Sequence, residues 1–102
     1  DVEVVGEGEA RGDLTTTVFG WPAADFRTDG AVYGTVVRPT DPQAAALLYE
    51  RCDAIEGVPS LFRRVAVLVD TEQGRSWAAA YEWNHEQGPP PGEPVEGGRW
   101  VP

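Results

Sequence analysis

Residues 40–57 read TDPQAAALLYERCDAIEG, and the fold turns on this segment. Asp41 offers a side-chain acceptor to the first free backbone N–H groups of a helix, and Pro42 falls at the first helical position, where its missing N–H costs nothing. Ala44, Leu48, Cys52 and Ile55 then recur at helical spacing on one face. Gly57 can take the left-handed conformation that closes a helix. The spacing therefore predicts one helix, with Glu56 at its last position.

On either side the chain reads as strands. Upstream, VEVVGEGEARGDL (2–14) is a strand or hairpin interrupted by Gly6, Gly8 and Gly12, and TTTVFG (15–20) is a second strand ending at Trp21-Pro22. GAVYGTVV (30–37) follows a turn at Thr28-Asp29-Gly30 and is rich in branched and aromatic residues, as strands are. Gly34 within it marks a bulge or the close approach of another backbone. Downstream, LFRRVAVLVD (61–70) and SWAAAYEW (76–83) flank TEQG (71–74). Val65, Val67 and Val69 share one side of the first run, and Trp77, Ala79, Tyr81 and Trp83 one side of the second, which predicts a β-hairpin with a four-residue loop. After a Pro- and Gly-punctuated loop, Glu86 to Pro94, EPVEGGRWV (93–101) is expected to return as a last short strand. Strands, one helix and more strands make an α+β domain, its helix lying against a small mixed β-barrel or a strongly curved sheet.

Composition narrows the function classes. A chain of 102 residues holds one domain with a single modest core. Seventeen acidic residues against eight basic ones give a net charge of -9, so phosphate backbones and anionic lipid would repel it, and neither nucleic acid nor a membrane is an expected partner. The basic residues are all arginine, spread from Arg11 to Arg99. Cys52 is the one cysteine, which fits a reducing compartment, and no signal or transit peptide is visible, so a cytoplasmic location is expected, while the net charge and the lack of a conspicuous exposed apolar run make a monomer the expected state.

Glu56 is the residue whose position asks for an explanation. A carboxylate at a helix C-terminus faces the negative end of the helix dipole, and shielding by Ile55, Val58 and the hairpin would raise its pKa further. Such a group can take and return protons near neutral pH. The plain alternative is a solvated surface charge. Plain readings also fit the other polar candidates: His85 as a loop surface residue, Asp53 as a solvated charge, and Cys52 as a small buried hydrophobe. Trp21, Trp77, Tyr81 and Trp83 are expected to be core in so small a protein.

GAVYGTVV, the helix, CDAIEGVPSLFRRVAVLVDTEQGRSWAAAYEW (52–83) and the late GGRW (97–100) together resemble the γ-glutamylcyclotransferase-like family, which includes the AIG2-like proteins and γ-glutamylamine cyclotransferases. The most telling part is D-x-x-E-G-V-P, Asp53 to Pro59, followed by an aromatic-Arg-Arg strand, Phe62 to Arg64, and by A-x-x-Y ending at Tyr81; WPA, Trp21 to Ala23, resembles an earlier family strand. The resemblance implies a single γ-glutamylcyclotransferase-like domain over residues 1–102 and an enzyme that releases 5-oxoproline and an amine or amino acid from a small-molecule γ-glutamyl substrate. It implies Glu56 as catalytic general base and then acid, with Tyr81, Trp21 and Phe62 as substrate-binding residues and no metal or cofactor. Family members open with Y-G-x-L or Y-G-S-N and a glycine-rich loop that holds the substrate. No such segment precedes Asp1, and VYGT (32–35) fits a later strand, so the domain is expected to be N-terminally incomplete. A barrel that has lost catalysis and serves as a binding or interaction module is the second reading, and the leaving group is not fixed by either.

Overall fold

In a computed structural model, which describes residues 2–100, seven regular strands and helices follow one another. They are β1 (Val2–Arg11), β2 (Asp13–Thr15), β3 (Ala23–Asp25), β4 (Ala31–Pro39), α1 (Pro42–Glu56), β5 (Phe62–Thr71) and β6 (Gly74–Trp83). Short 3₁₀ turns follow at His85–Gln87 and Glu96–Gly98. The main sheet is antiparallel in the order β4-β1-β5-β6, and β2 and β3 form a separate two-stranded ribbon. Of the two expected forms, the curved sheet with one helix is the one observed; the sheet does not close into a barrel among the described residues, and β4 and β6 are its edges.

The helix forms as its caps dictate. Asp41 accepts from the Ala44 N–H at 2.8 Å. At the other end Gly57 sits at φ 66°, ψ 40°, its N–H bonds the Ala54 carbonyl and the Val58 N–H bonds the Asp53 carbonyl, a Schellman closure that leaves Glu56 as the last helical residue. The expected apolar face needs one correction. Ala44, Leu48 and Cys52 are half-buried, but Ile55 is 71% exposed, and Glu56 takes its place one turn beyond Cys52. A four-residue step keeps the side chains on one line, whereas Ile55 lies about 100° away from Glu56 around the axis.

Other differences follow from pairing. β1 runs unbroken through Gly6 and Gly8, with a register shift between Val4 and Gly6. The close approach is at Gly8, where an added Cβ would meet Val36 Cγ2 at 2.6 Å, whereas Gly34, its partner across the ladder, faces open space. The expected strand 15–20 stops at Thr15, because Thr17 Oγ1 accepts the Phe19 N–H and donates to the Trp21 carbonyl, curling the chain into a turn. The β5-β6 hairpin is tighter than expected: Thr71 pairs with Gly74, leaving a two-residue turn. The expected C-terminal strand is a single bridge, Thr15 to Pro94, followed by the 3₁₀ turn; its last expected residue, Val101, lies outside the described residues.

The core is small, and its main cluster sits at one end of the hairpin. Phe62 (2% exposed), Trp83 and Ala23 form its centre, with the Phe62 and Trp83 rings edge to face at 5.5 Å. Val69 is buried and Val65 and Val67 are half-buried, as their alternation predicts. Trp21 and Trp77, expected in the core, are 39% and 69% exposed: Trp77 lies toward the turn end of the hairpin on the wall of an open cleft, and Trp21 stacks on Phe19.

Candidate functional site

The curvature of the sheet brings its two edge strands toward a common cleft of about 500 Å³, with α1 along one side. Val32 to Pro39 of β4 contribute one wall, Ser76 to Tyr81 of β6 another, and Leu48, Tyr49 and Cys52 of α1 a third. No helix is long and apolar enough to cross a membrane among the described residues.

At the helix end a polar network joins these walls. Arg64 and Tyr81 face each other across the β5-β6 ladder, and both reach Asp53. The Tyr81 hydroxyl donates to Asp53 Oδ1 at 2.6 Å, and Arg64 donates to both carboxylate oxygens at 2.9 and 3.1 Å. The Arg64 guanidinium lies over the Tyr49 ring at 4.4 Å, a cation–π contact that fixes it against α1. Burial, reinforced by the Asp53 carboxylate, pushes the Tyr81 phenol well above the ordinary tyrosine range, so it stays a protonated donor. Asp53 is therefore not the free surface charge that its sequence position indicates.

Glu56 lies one helical turn from both Cys52 and Asp53. It is half-buried, with no hydrogen bond or ion pair to its carboxylate among the described residues, and burial raises its pKa above the ordinary glutamate value. The helix C-terminus acts in the same direction. The segment beyond it is pinned: Asn84 donates to the Pro59 and Ser60 carbonyls at 3.0 Å, and Gln87 to the Leu61 carbonyl at 2.7 Å. The chain after β6 thus holds the end of the Glu-bearing helix in place.

Of the residues singled out in the sequence, Tyr81 lines the cleft; Glu56 does not line it, but follows the lining residue Cys52 by one helical turn. Phe62 and Trp21 are not among the lining residues; Phe62 lies in the core and Trp21 in the turn between β2 and β3. The hairpin pattern already sets Arg64 opposite Tyr81; what joins Asp53 to both is the way α1 packs on the hairpin, which no local pattern in the sequence shows.

His85 is likewise no surface residue. It is half-buried between Asp25 of β3 and Glu82 of β6, its Nε2 at 3.7 Å from an oxygen of each. Glu82 is buried, accepting from the Phe26 N–H at 2.7 Å and from Arg63 at 3.2 Å. Arg27 beside Asp25 holds that carboxyl down to about 2.

No curated protein and no solved structure matches the chain. The family described as Gamma-glutamyl cyclotransferase, AIG2-like, matches residues 2–102. That match spans the Glu56 helix, the hairpin with Tyr81 and the cleft between them, and the chain belongs to this family.

Proposed function

We propose that the protein is a cyclotransferase that releases 5-oxoproline and an amine or amino acid from a small-molecule γ-glutamyl compound, with Glu56 as general base and then general acid. Family membership assigns γ-glutamyl cyclotransferase activity in general terms. One observation supports the finer reading: Glu56 is half-buried, unpaired and raised in pKa at the end of the helix that borders the cleft.

The free α-amine of the γ-glutamyl group attacks its own side-chain carbonyl carbon, so a new C–N bond forms as the original amide C–N bond breaks. The attacking nitrogen loses a proton to Glu56, and the departing nitrogen regains it from the same carboxyl. A carboxylate whose ionised form is disfavoured by burial serves both halves better than a solvated one. Because both reacting atoms belong to one molecule, the site has only to fold the substrate into an attacking geometry. The Tyr81 hydroxyl and the Arg64 guanidinium, both tied to Asp53, supply polar contacts at that end of the cleft.

The test is incubation with a panel of γ-glutamyl amines and γ-glutamyl dipeptides, with 5-oxoproline as the readout. The expected result is turnover by the wild-type protein and its loss, by a hundredfold or more, in Glu56→Gln, which keeps shape and removes the proton acceptor. Normal turnover in Glu56→Gln overturns the assignment. Binding of a substrate without turnover in the wild type would favour a binding module.

A further inference from the structure

None of Asp25, Glu82 and His85 lines the cleft, although Phe26, whose N–H bonds Glu82, does, and the cluster has no part in the reaction above. We infer that it is a binding site for a single divalent ion of the zinc class, held by one oxygen of Asp25, one oxygen of Glu82 and Nε2 of His85, which staples the β2-β3 ribbon to the main sheet.

The geometry carries this. The three ligand atoms lie within 4.8 Å of one another, and they come from three separate elements: the end of β3, the end of β6 and the 3₁₀ turn after it. The His85 Nε2 is shut off from solvent and has no hydrogen-bond partner. It stands 3.7 Å from both Asp25 Oδ1 and Glu82 Oε2, too far for an N–H···O hydrogen bond to either, since these run to roughly 3.2 Å. This buried nitrogen is equidistant from two carboxylate oxygens and hydrogen-bonded to neither, an arrangement that a shared ion would satisfy. For metal–ligand distances of about 2.0–2.2 Å and tetrahedral angles, two ligands stand roughly 3.3–3.6 Å apart, so the two His85 distances are within a few tenths of an ångström of that spacing, and the Asp25 and Glu82 side chains close the remainder by turning toward the ion.

The surroundings fit an ion as well. Glu82, with 4% of its side chain exposed, is oriented by the Phe26 N–H on the oxygen that faces His85 and by Arg63 on the other. Such outer contacts fix ligating carboxylates. Asp25 Oδ1 accepts from both the Arg27 backbone N–H and its Nε at 2.9 Å; the backbone contact orients the carboxylate, and the 60% exposed side chain is free to give up its contact when an ion arrives. One imidazole nitrogen with two carboxylates favours zinc-like ions over magnesium or calcium, which prefer all-oxygen sets. With three protein ligands, water completes the shell.

The test uses the full chain, free of any histidine tag and stripped by chelator, titrated with Zn²⁺ by calorimetry and with Co²⁺ by visible absorption. The expected result is one saturable site, Co²⁺ bands of a nitrogen- and oxygen-ligated ion, a higher unfolding temperature with Zn²⁺, and at least tenfold weaker binding in both His85→Ala and Asp25→Asn. Absence of saturable binding by the folded wild-type protein overturns the proposal. So does binding that neither substitution weakens, and so does a His85 ring shown by nitrogen NMR to be protonated between the carboxylates and unchanged by Zn²⁺.

Discussion

Replacing Phe62 by alanine separates a structural from a substrate-binding role for a residue that the family resemblance places at the site. Its ring is 2% exposed and meets Trp83 edge to face at 5.5 Å and 89°, with Ala23, itself 1% exposed, completing the contact. Truncating a buried phenylalanine to alanine costs about 3–5 kcal/mol through lost transfer energy and the cavity left behind. Collapse cannot refill that cavity: Phe62 and Trp83 are opposite residues on a hydrogen-bonded ladder, and the ladder fixes their separation. A chain of this size has a total stability of about 5–15 kcal/mol, so the change removes a large fraction of it. At about 4–8 °C per kcal/mol for a domain of this size, the thermal midpoint should fall by at least about 12 °C. Urea and thermal unfolding followed by tryptophan fluorescence measure this directly, and KM for any turned-over substrate, taken well below the new midpoint, should stay near wild type. A Phe62→Ala variant that keeps the wild-type midpoint and raises KM would refute the packing argument and return Phe62 to the site.

Three further outcomes are expected. Glu56→Gln should be more stable than wild type at neutral pH: the folded protein holds a proton on Glu56 above the ordinary value of 4.5, so wild-type stability falls as pH rises from there through the raised folded pKa, and the gap should vanish in acid; a gap independent of pH would contradict the burial argument. Asp53→Asn removes the negative charge facing Tyr81, so the Tyr81 phenol should titrate lower in the variant, seen by tyrosinate absorbance, while an unchanged titration would mean that the Asp53 contact is absent in solution. Gly98→Ala should unfold the C-terminal turn or fail to fold, because Gly98 sits at φ 69° and an added Cβ would overlap the Ala31 carbonyl oxygen; a variant with wild-type urea resistance would mean that this turn does not pack on β4 as described.

The helix, its caps, the position of Glu56 at its end and the β5-β6 hairpin were all legible in the chain, because each rests on neighbours a few residues apart: an N-cap, a closing glycine, an alternation of period two. So was the α+β class. What local pattern could not supply was direction and depth. Ile55 and Glu56 are adjacent in sequence, and only the packing of α1 on β4 and β5 decides which of them turns inward. Trp77 and Trp83 share one side of β6, yet one is exposed and the other buried, because the Phe62 cluster covers that side only at the Trp83 end. Asp53, Arg64 and Tyr81 meet, and Asp25, Glu82 and His85 converge, across separations of up to 60 residues that hang on how α1 and β3 pack against the hairpin. Sequence by itself determined which elements form and placed a carboxylate at a helix end. The tertiary structure alone decided which side chains leave water, since burial is a property of surfaces brought together over long separations and not of any one segment.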